Sequence, residues 1–306
     1  MLHLGMRMRS LLVAVFAALT LQTALADGTA AARALPDYMR YAEDGRSARL
    51  EVAIRSFRLP SGQQVDLIGV VHIADDAYYE RLNQRLDRYD SVLFELVGDP
   101  RRLTQTPPLV LRQQYDQAYR GEFSMSALQI AVGKYLNLSF QLGGIDYTKP
   151  NMVHADVGAA EFAKMQEERG ETMLTLLLRA MNAQFSGGAN MTAIGELNTF
   201  ELIRILLSPD SATEFKKVLA RMFDQSESLT QLMEGEGGSA ILSGRNDVVM
   251  AKIAEILANR RQRRIAVLYG GGHMPGIEAS LIDKLDAKVV GEEWLAAWTM
   301  PNVSVP

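Results

Sequence analysis

The sequence predicts an α/β fold: a central mixed or parallel sheet split between both ends of the chain, with a large helical insertion. Three observations carry this. Two nearly continuous apolar runs, 65–71 and 265–269, lie near opposite ends and have the character of strands buried on both faces. The first is followed by an amphipathic helical pattern and a third apolar run at 91–97, a strand–helix–strand unit that favours parallel pairing. Between about 107 and 242 most segments carry helical periodicity instead.

Taken in order, residues 1–26 form a secretory signal peptide. Arg7 and Arg9 supply the positive start, Leu11 to Leu21 the apolar stretch, and Ala24-Leu25-Ala26 the small-residue cleavage site. Its removal takes two positive charges from a net charge of −4. No later stretch has the length of uncharged apolar residues that a membrane span needs. The chain is therefore expected to be exported, periplasmic or secreted in a bacterial envelope, with no integral span after cleavage. Residues 27–48, polar and Ala-rich, read as a flexible leader, and 49–306 as a single domain.

Leu50, Val52 and Ile54 alternate with Glu51, Ala53 and Arg55, a strand signature. Pro60-Ser61-Gly62 turns the chain into the run at 65–71, so the two strands form a hairpin. Asp75 or Asp76 caps a helix bearing Tyr79, Leu82 and Leu86. Gly143 to Asp146 reads as a short strand. Helices are expected over 155–168, 171–184, 196–207 and 212–223, with loops at 186–188 and 235–238. The pattern then returns: a helix over 246–259, the strand at 265–269, a glycine turn at 270–272, a helix over 275–285, a strand at 288–290 and an extended tail.

Composition removes several function classes. With 306 residues, 48% hydrophobic and 22% charged, the chain is globular rather than disordered. The slight acidic balance gives no broad basic surface, so nucleic acid is not an expected partner. The absence of cysteine excludes disulfides, thiol nucleophiles, iron–sulfur clusters and thiolate zinc sites. No H-E-x-x-H, G-x-S-x-G, P-loop or dinucleotide glycine motif occurs.

One arrangement occurs twice. Gly69-Val70-Val71-His72 and Gly270-Gly271-Gly272-His273 both place a histidine just past the carboxyl end of a strand. Open α/β sheets bind ligands there. A following helix N-terminus disfavours imidazolium and keeps the ring neutral, the form that binds a metal. Glu95 stands inside the apolar run 91–97, where a carboxylate is costly unless paired or coordinated. If its strand neighbours that of His72, the two are close. His72, Glu95 and His273 are a sufficient ligand set for a divalent metal ion that activates water. His154 lacks the glycine context and is left as a surface or secondary residue. Arg245 can bind a substrate carboxylate or an oxyanion. Asn246 or Asp247, at the start of a helix, can equally be a cap.

These pieces resemble the TraB/GumN family, related to the TIKI proteins and more distantly to ChaN-like and erythromycin-esterase-like domains. The matching residues are Ile68 to His72, Phe94-Glu95, Gly244-Arg245-Asn246-Asp247 with Met250, and Tyr269 to Gly276. Val70 stands where the family often has threonine. The resemblance implies a metal-dependent hydrolase, with TIKI members acting as metalloproteases. It places His72, Glu95 and His273 at a metal and catalytic centre supported by Arg245 and Asn246. The expectation is thus an envelope hydrolase of peptide or small-molecule substrates, most simply a peptidase. The alternative is a non-catalytic envelope protein that binds a peptide, haem or metal.

Overall fold

The computed structural model describes residues 37–118, 125–171, 210–224 and 239–301. The signal peptide expected over 1–26, the segment 27–36, the helix expected over 171–184 apart from Glu171, the helix expected over 196–207 and the loops expected at 186–188 and 235–238 lie outside the described residues.

Seven strands form the main sheet. They are β1 (Met39–Glu43), β2 (Ser47–Arg58), β3 (Gln64–Val70), β5 (Ser91–Phe94), β7 (Met152–His154), β8 (Arg264–Gly270) and β9 (Lys288–Pro301). Their order is β1-β2-β3-β8-β5-β7, with β9 along the other edge of β2. The hairpin β2–β3 is antiparallel as expected, and Gly62 closes its turn with φ of 82°. β3, β8, β5 and β7 run parallel. A second ribbon pairs β4 (Ile73–Ala74) with β6 (Ser139–Phe140).

The central strands are buried on both faces, which is why their sequences are continuous apolar runs rather than alternations. Alternation decides the face. Val65 and Leu67 of β3, Ile265, Val267 and Tyr269 of β8 and Leu93 of β5 point into one core. Helices α8 (Ser243–Leu257) and α9 (Met274–Leu285) cover it, through Val249, Ile253, Ile277 and Leu281. Ile68, Val70, Ala266, Leu268, Val92 and Phe94 point into the other. That side is covered by α1 (Asp76–Leu86), through Tyr78, Tyr79, Leu82 and Leu86, and by α7 (Ser211–Asp224). Between these lie α2 (Arg101–Thr104), α3 (Pro108–Ala118), α4 (Met125–Tyr135), α5 (Gln141–Gly144) and α6 (Ala159–Glu168).

Several expectations change. β3 and β5 are not neighbours: β8 lies between them, so the strand–helix–strand unit crosses over a strand supplied by the far end of the chain. The leader contains β1, held by backbone pairing of Met39–Glu43 to β2. Residues 141–144 form a helical turn, not a strand. Gly144 allows this, because a Cβ there would stand 2.5 Å from the Tyr79 ring. The middle segment also supplies a strand to the main sheet, β7 beside β5, at 152–154 rather than 143–146. The last strand reaches Pro301 rather than Val290. Asp75 is the residue at the N-cap of α1, but its carboxylate makes no cap bond. It accepts from Lys216 Nζ at 3.3 Å and from the Thr299 N–H at 2.7 Å, tying α1 to α7 and β9. Among the described residues no helix is long and apolar enough to cross a membrane.

Candidate functional site

The carboxyl ends of β3, β8, β5 and β7 open on the same edge, because parallel strands share a direction. Glu95 is the first residue past β5, and its N–H still donates to Leu268 of β8 at 3.2 Å. Strand parity puts its side chain on the face of Leu93, the one covered by α8. Arg245, in the first turn of α8, is 6% exposed and meets it there.

Arg245 is the hub. Its Nη2 donates to Glu95 Oε1 at 2.6 Å and to Asp156 Oδ2 at 2.5 Å, and its Nε to Asp156 Oδ1 at 2.9 Å. Nη1 donates to the Ile241 carbonyl at 3.4 Å and faces His273 Nε2 at 3.3 Å. All five N–H groups of the guanidinium are thereby engaged inside the protein. It organises the acids and does not reach outward as an anion clamp. The second Glu95 oxygen accepts the Gly270 N–H at 2.7 Å, a contact made where the β8 backbone turns.

His273 lies at the N-terminus of α9 and is 5% exposed. Asn246, inside α8 and not its cap, fixes the ring: Oδ1 accepts from Nδ1 at 2.8 Å while Nδ2 donates to the His273 carbonyl at 3.4 Å. Because the amide N–H is committed to that carbonyl, the network assigns the imidazole proton to Nδ1 and the lone pair to Nε2. His72 is held in the same way. Its Nδ1 donates to Gln141 Oε1 at 3.1 Å, and the Gln141 amide nitrogen donates to Tyr147 Oη at 3.1 Å. His72 differs in being exposed.

The charges are set by burial and by the guanidinium. Burial pushes the imidazolium of His273 down to about 4, with Arg245 adding to the fall and Glu95 opposing it, so the ring is neutral at neutral pH. Burial is the largest cause of the shift, where the sequence argument relied on the helix terminus. Burial also pushes the Glu95 carboxyl up, yet His273, Arg245, His72 and the Gly270 N–H together outweigh it and hold the group at about 2. At neutral pH His273 is uncharged, so the permanent cation that keeps Glu95 ionised is Arg245. His72 is close enough for its charge to bear on both Glu95 and His273.

The structure therefore brings Glu95, Arg245, Asn246 and His273 into direct contact and sets His72 at the same edge, on the next strand across. His154 stands apart from them: its Nε2 bonds the Leu96 carbonyl at 2.7 Å and its ring packs against Phe94, a role in holding the turn after β5. Asp156 and Gln141 are the members sequence reasoning missed. Asp156 lies between Ala155 and Val157, so the argument applied to Glu95, a carboxylate among apolar residues, would have found it. Gln141 carries no comparable signal.

The donor set suits a divalent ion in kind, with two imidazole rings and an ionised carboxylate. It does not suit one in arrangement. Among the described residues no group of three or more His, Asp or Glu side chains gathers as a metal site, and the guanidinium holds the ground between Glu95 and His273.

A buried arginine–carboxylate–histidine cluster at the carboxyl edge of a parallel sheet, with an exposed histidine beside it, defines an α/β protein with a polar site at its sheet edge. The chain belongs to the TraB/PrgY/gumN family, whose sequence model matches residues 58–289. That span contains every residue of the cluster. No curated protein and no solved structure matches the chain.

Proposed function

We propose that the chain is an exported hydrolase of peptide or ester carbonyls, in which His72 is the general base. The observation that supports this reading most is the pairing of an exposed, amide-anchored imidazole with an ionised carboxylate at the edge where open α/β sheets take ligands. His72 Nε2 takes a proton from water as the water oxygen attacks the carbonyl. The same proton then passes to the leaving nitrogen or oxygen. Glu95, kept ionised by Arg245, stabilises the imidazolium formed between those steps. Neutral His273, fixed by Asn246, braces Arg245 from the N-terminus of α9. Export rests on the leader sequence at 1–26.

A metal-dependent form of the same reading, suggested by the family resemblance, requires Arg245 to withdraw from Glu95. One assay separates the forms: turnover of a peptide library and of a nitrophenyl ester by the purified chain, with chelator or with added zinc or manganese. Turnover that survives chelation and falls at least about 100-fold in His72→Ala, at unchanged melting temperature, supports the base mechanism. Turnover abolished by chelator assigns the metal-dependent form. Turnover indifferent to His72→Ala overturns both. Saturable peptide binding without hydrolysis under any condition assigns the non-catalytic alternative.

A further inference from the structure

The sheet edge opposite the acid–histidine cluster is basic. The loop that carries α8 into β8 reads Asn259-Arg260-Arg261-Gln262-Arg263-Arg264, four arginines in a chain whose net charge is −4. Strand pairing extends this charge sideways. Gln64 of β3 pairs with Arg264 and with Arg58 of β2, and Arg58 pairs with Lys288 of β9. Lys288, Arg58 and Arg264 therefore stand in one row across the strand ends. All six cations are exposed, and among the described residues none of them pairs with a carboxylate. Arg58 donates to the Gly62 carbonyl and to Gln64 Oε1, each at 3.4 Å, and the Arg264 guanidinium lies over the Tyr89 ring. The backbone beneath them is fixed. Buried Gln63 donates through Nε2 to the Gln262 carbonyl at 2.8 Å and the Leu257 carbonyl at 3.2 Å. Asp90 Oδ2 is spent on the Arg263 and Arg264 N–H groups at 2.7 and 2.8 Å. A held loop with unspent guanidinium groups loses little freedom on meeting an anionic surface.

A second observation says what kind of surface. Val289 and Val290 follow Lys288 and are 50% and 53% exposed. Val290 is the extra residue of a bulge, since Phe57 pairs with Val289 and Ser56 with Gly291. The two acids beyond it are already engaged, Glu292 by Arg55 at 2.7 Å and Glu293 by Arg85 at 2.5 Å. Free phosphate or an acidic protein segment would use the cations alone. A bilayer uses both features, its phosphates taking the arginines and its acyl boundary the valines. We propose that this edge docks on an anionic lipid bilayer, which turns the acid–histidine cluster away from the membrane. The docking stands whether or not His72 is a catalytic base.

Co-sedimentation of the processed chain, residues 27–306, with vesicles tests it. Phosphatidylcholine vesicles with about one-third phosphatidylglycerol are expected to bind at least about tenfold more tightly than phosphatidylcholine alone, and raising salt from about 0.1 M to about 0.5 M to release the chain. Arg260→Gln with Arg261→Gln is expected to weaken binding at least about tenfold at unchanged melting temperature. Val290→Ser is expected to weaken it about threefold or more with the salt dependence kept. Arg101→Gln with Arg102→Gln, an exposed pair on α2, is expected to leave it unchanged. Equal binding to both kinds of vesicle, an equal loss in the α2 pair, parent-like binding in either the arginine or the valine variant, or tighter binding to inorganic polyphosphate than to the anionic vesicles overturns the proposal. A failure of the hydrolase assay leaves this measurement unaffected.

Discussion

Arg245 and Asp156 form a buried fork, Nε to Oδ1 at 2.9 Å and Nη2 to Oδ2 at 2.5 Å, in which the Asp156 side chain is wholly enclosed. Planar guanidinium and planar carboxylate match in shape, so the pair is fixed in orientation as well as in charge. The fork joins the segment after β7 to the first turn of α8, two pieces of chain far apart in sequence.

Breaking it leaves charge stranded in the interior. Arg245→Met strands two carboxylates and is expected to cost about 3–5 kcal/mol of unfolding free energy. Asp156→Asn keeps the shape, retains the Glu95 pair and is expected to cost about 1–3 kcal/mol. Urea unfolding at neutral pH measures both. If both variants stay within about 0.5 kcal/mol of the parent, the cluster does not hold α8 to the sheet.

Acid should weaken the fold in two stages. His273 takes its proton near 6.5 when unfolded and only near 4 when folded, so the unfolded chain binds more protons between those values. Its neutral-form stability is complete above pH 6.5 and is lost as pH falls toward 4, a total of about 3 kcal/mol. Glu95, depressed from 4.5 to about 2, adds a second loss as pH falls through that lower window. Denaturation midpoints between pH 7 and 3 test this. His273→Gln should remove the upper stage and shrink the lower, because the His273 charge is the first of the causes that hold Glu95 down. An upper stage of the same size in the variant would show that another group carries it.

Much of this arrangement was legible in the sequence, and the limits have physical reasons. Continuous apolar runs announced β3, β5 and β8, since strands covered on both faces cannot alternate. The glycine–histidine pairs announced the sheet edge. Strand order was not legible, because nothing local in 65–71 or 91–97 says that β8 enters between them; that is decided by long-range parallel pairing. Arg245 was visible as a residue of interest but not as a saturated hub. Its partners come from β5, β7 and β8, and only the folded sheet brings them together. The α5 turn was read as a strand because Gly143 and Gly144 suit either, and the choice is made by the Tyr79 ring against Gly144.

Gln141 is expected to act through His72. It is buried, and its amide commits the His72 proton to Nδ1, leaving Nε2 as the acceptor. Gln141→Met removes that anchor and should lower kcat about tenfold or more with little change in KM, since substrate contact is untouched. Gln141→Glu still accepts from Nδ1 and should restore most of the rate. Equal losses in both variants, or a loss confined to KM, would contradict a positioning role.

Gly276 has the same relationship to His273 from the other side. A Cβ built there would stand 2.6 Å from Asn246 Nδ2, well inside contact. The amide cannot swing away freely, because its oxygen holds His273 Nδ1 and its nitrogen the His273 carbonyl. Gly276→Ala must therefore either displace α9 from α8 or release the imidazole. Overpacking of this kind costs about 1–3 kcal/mol. Pairing it with Asn246→Ala separates strain from lost bonding. The double variant has room for the new methyl group, so adding Gly276→Ala to Asn246→Ala should cost less than adding it to the parent. Additive losses in the urea cycle would mean that the glycine matters only to the conformation of α9 and not to the hold on His273.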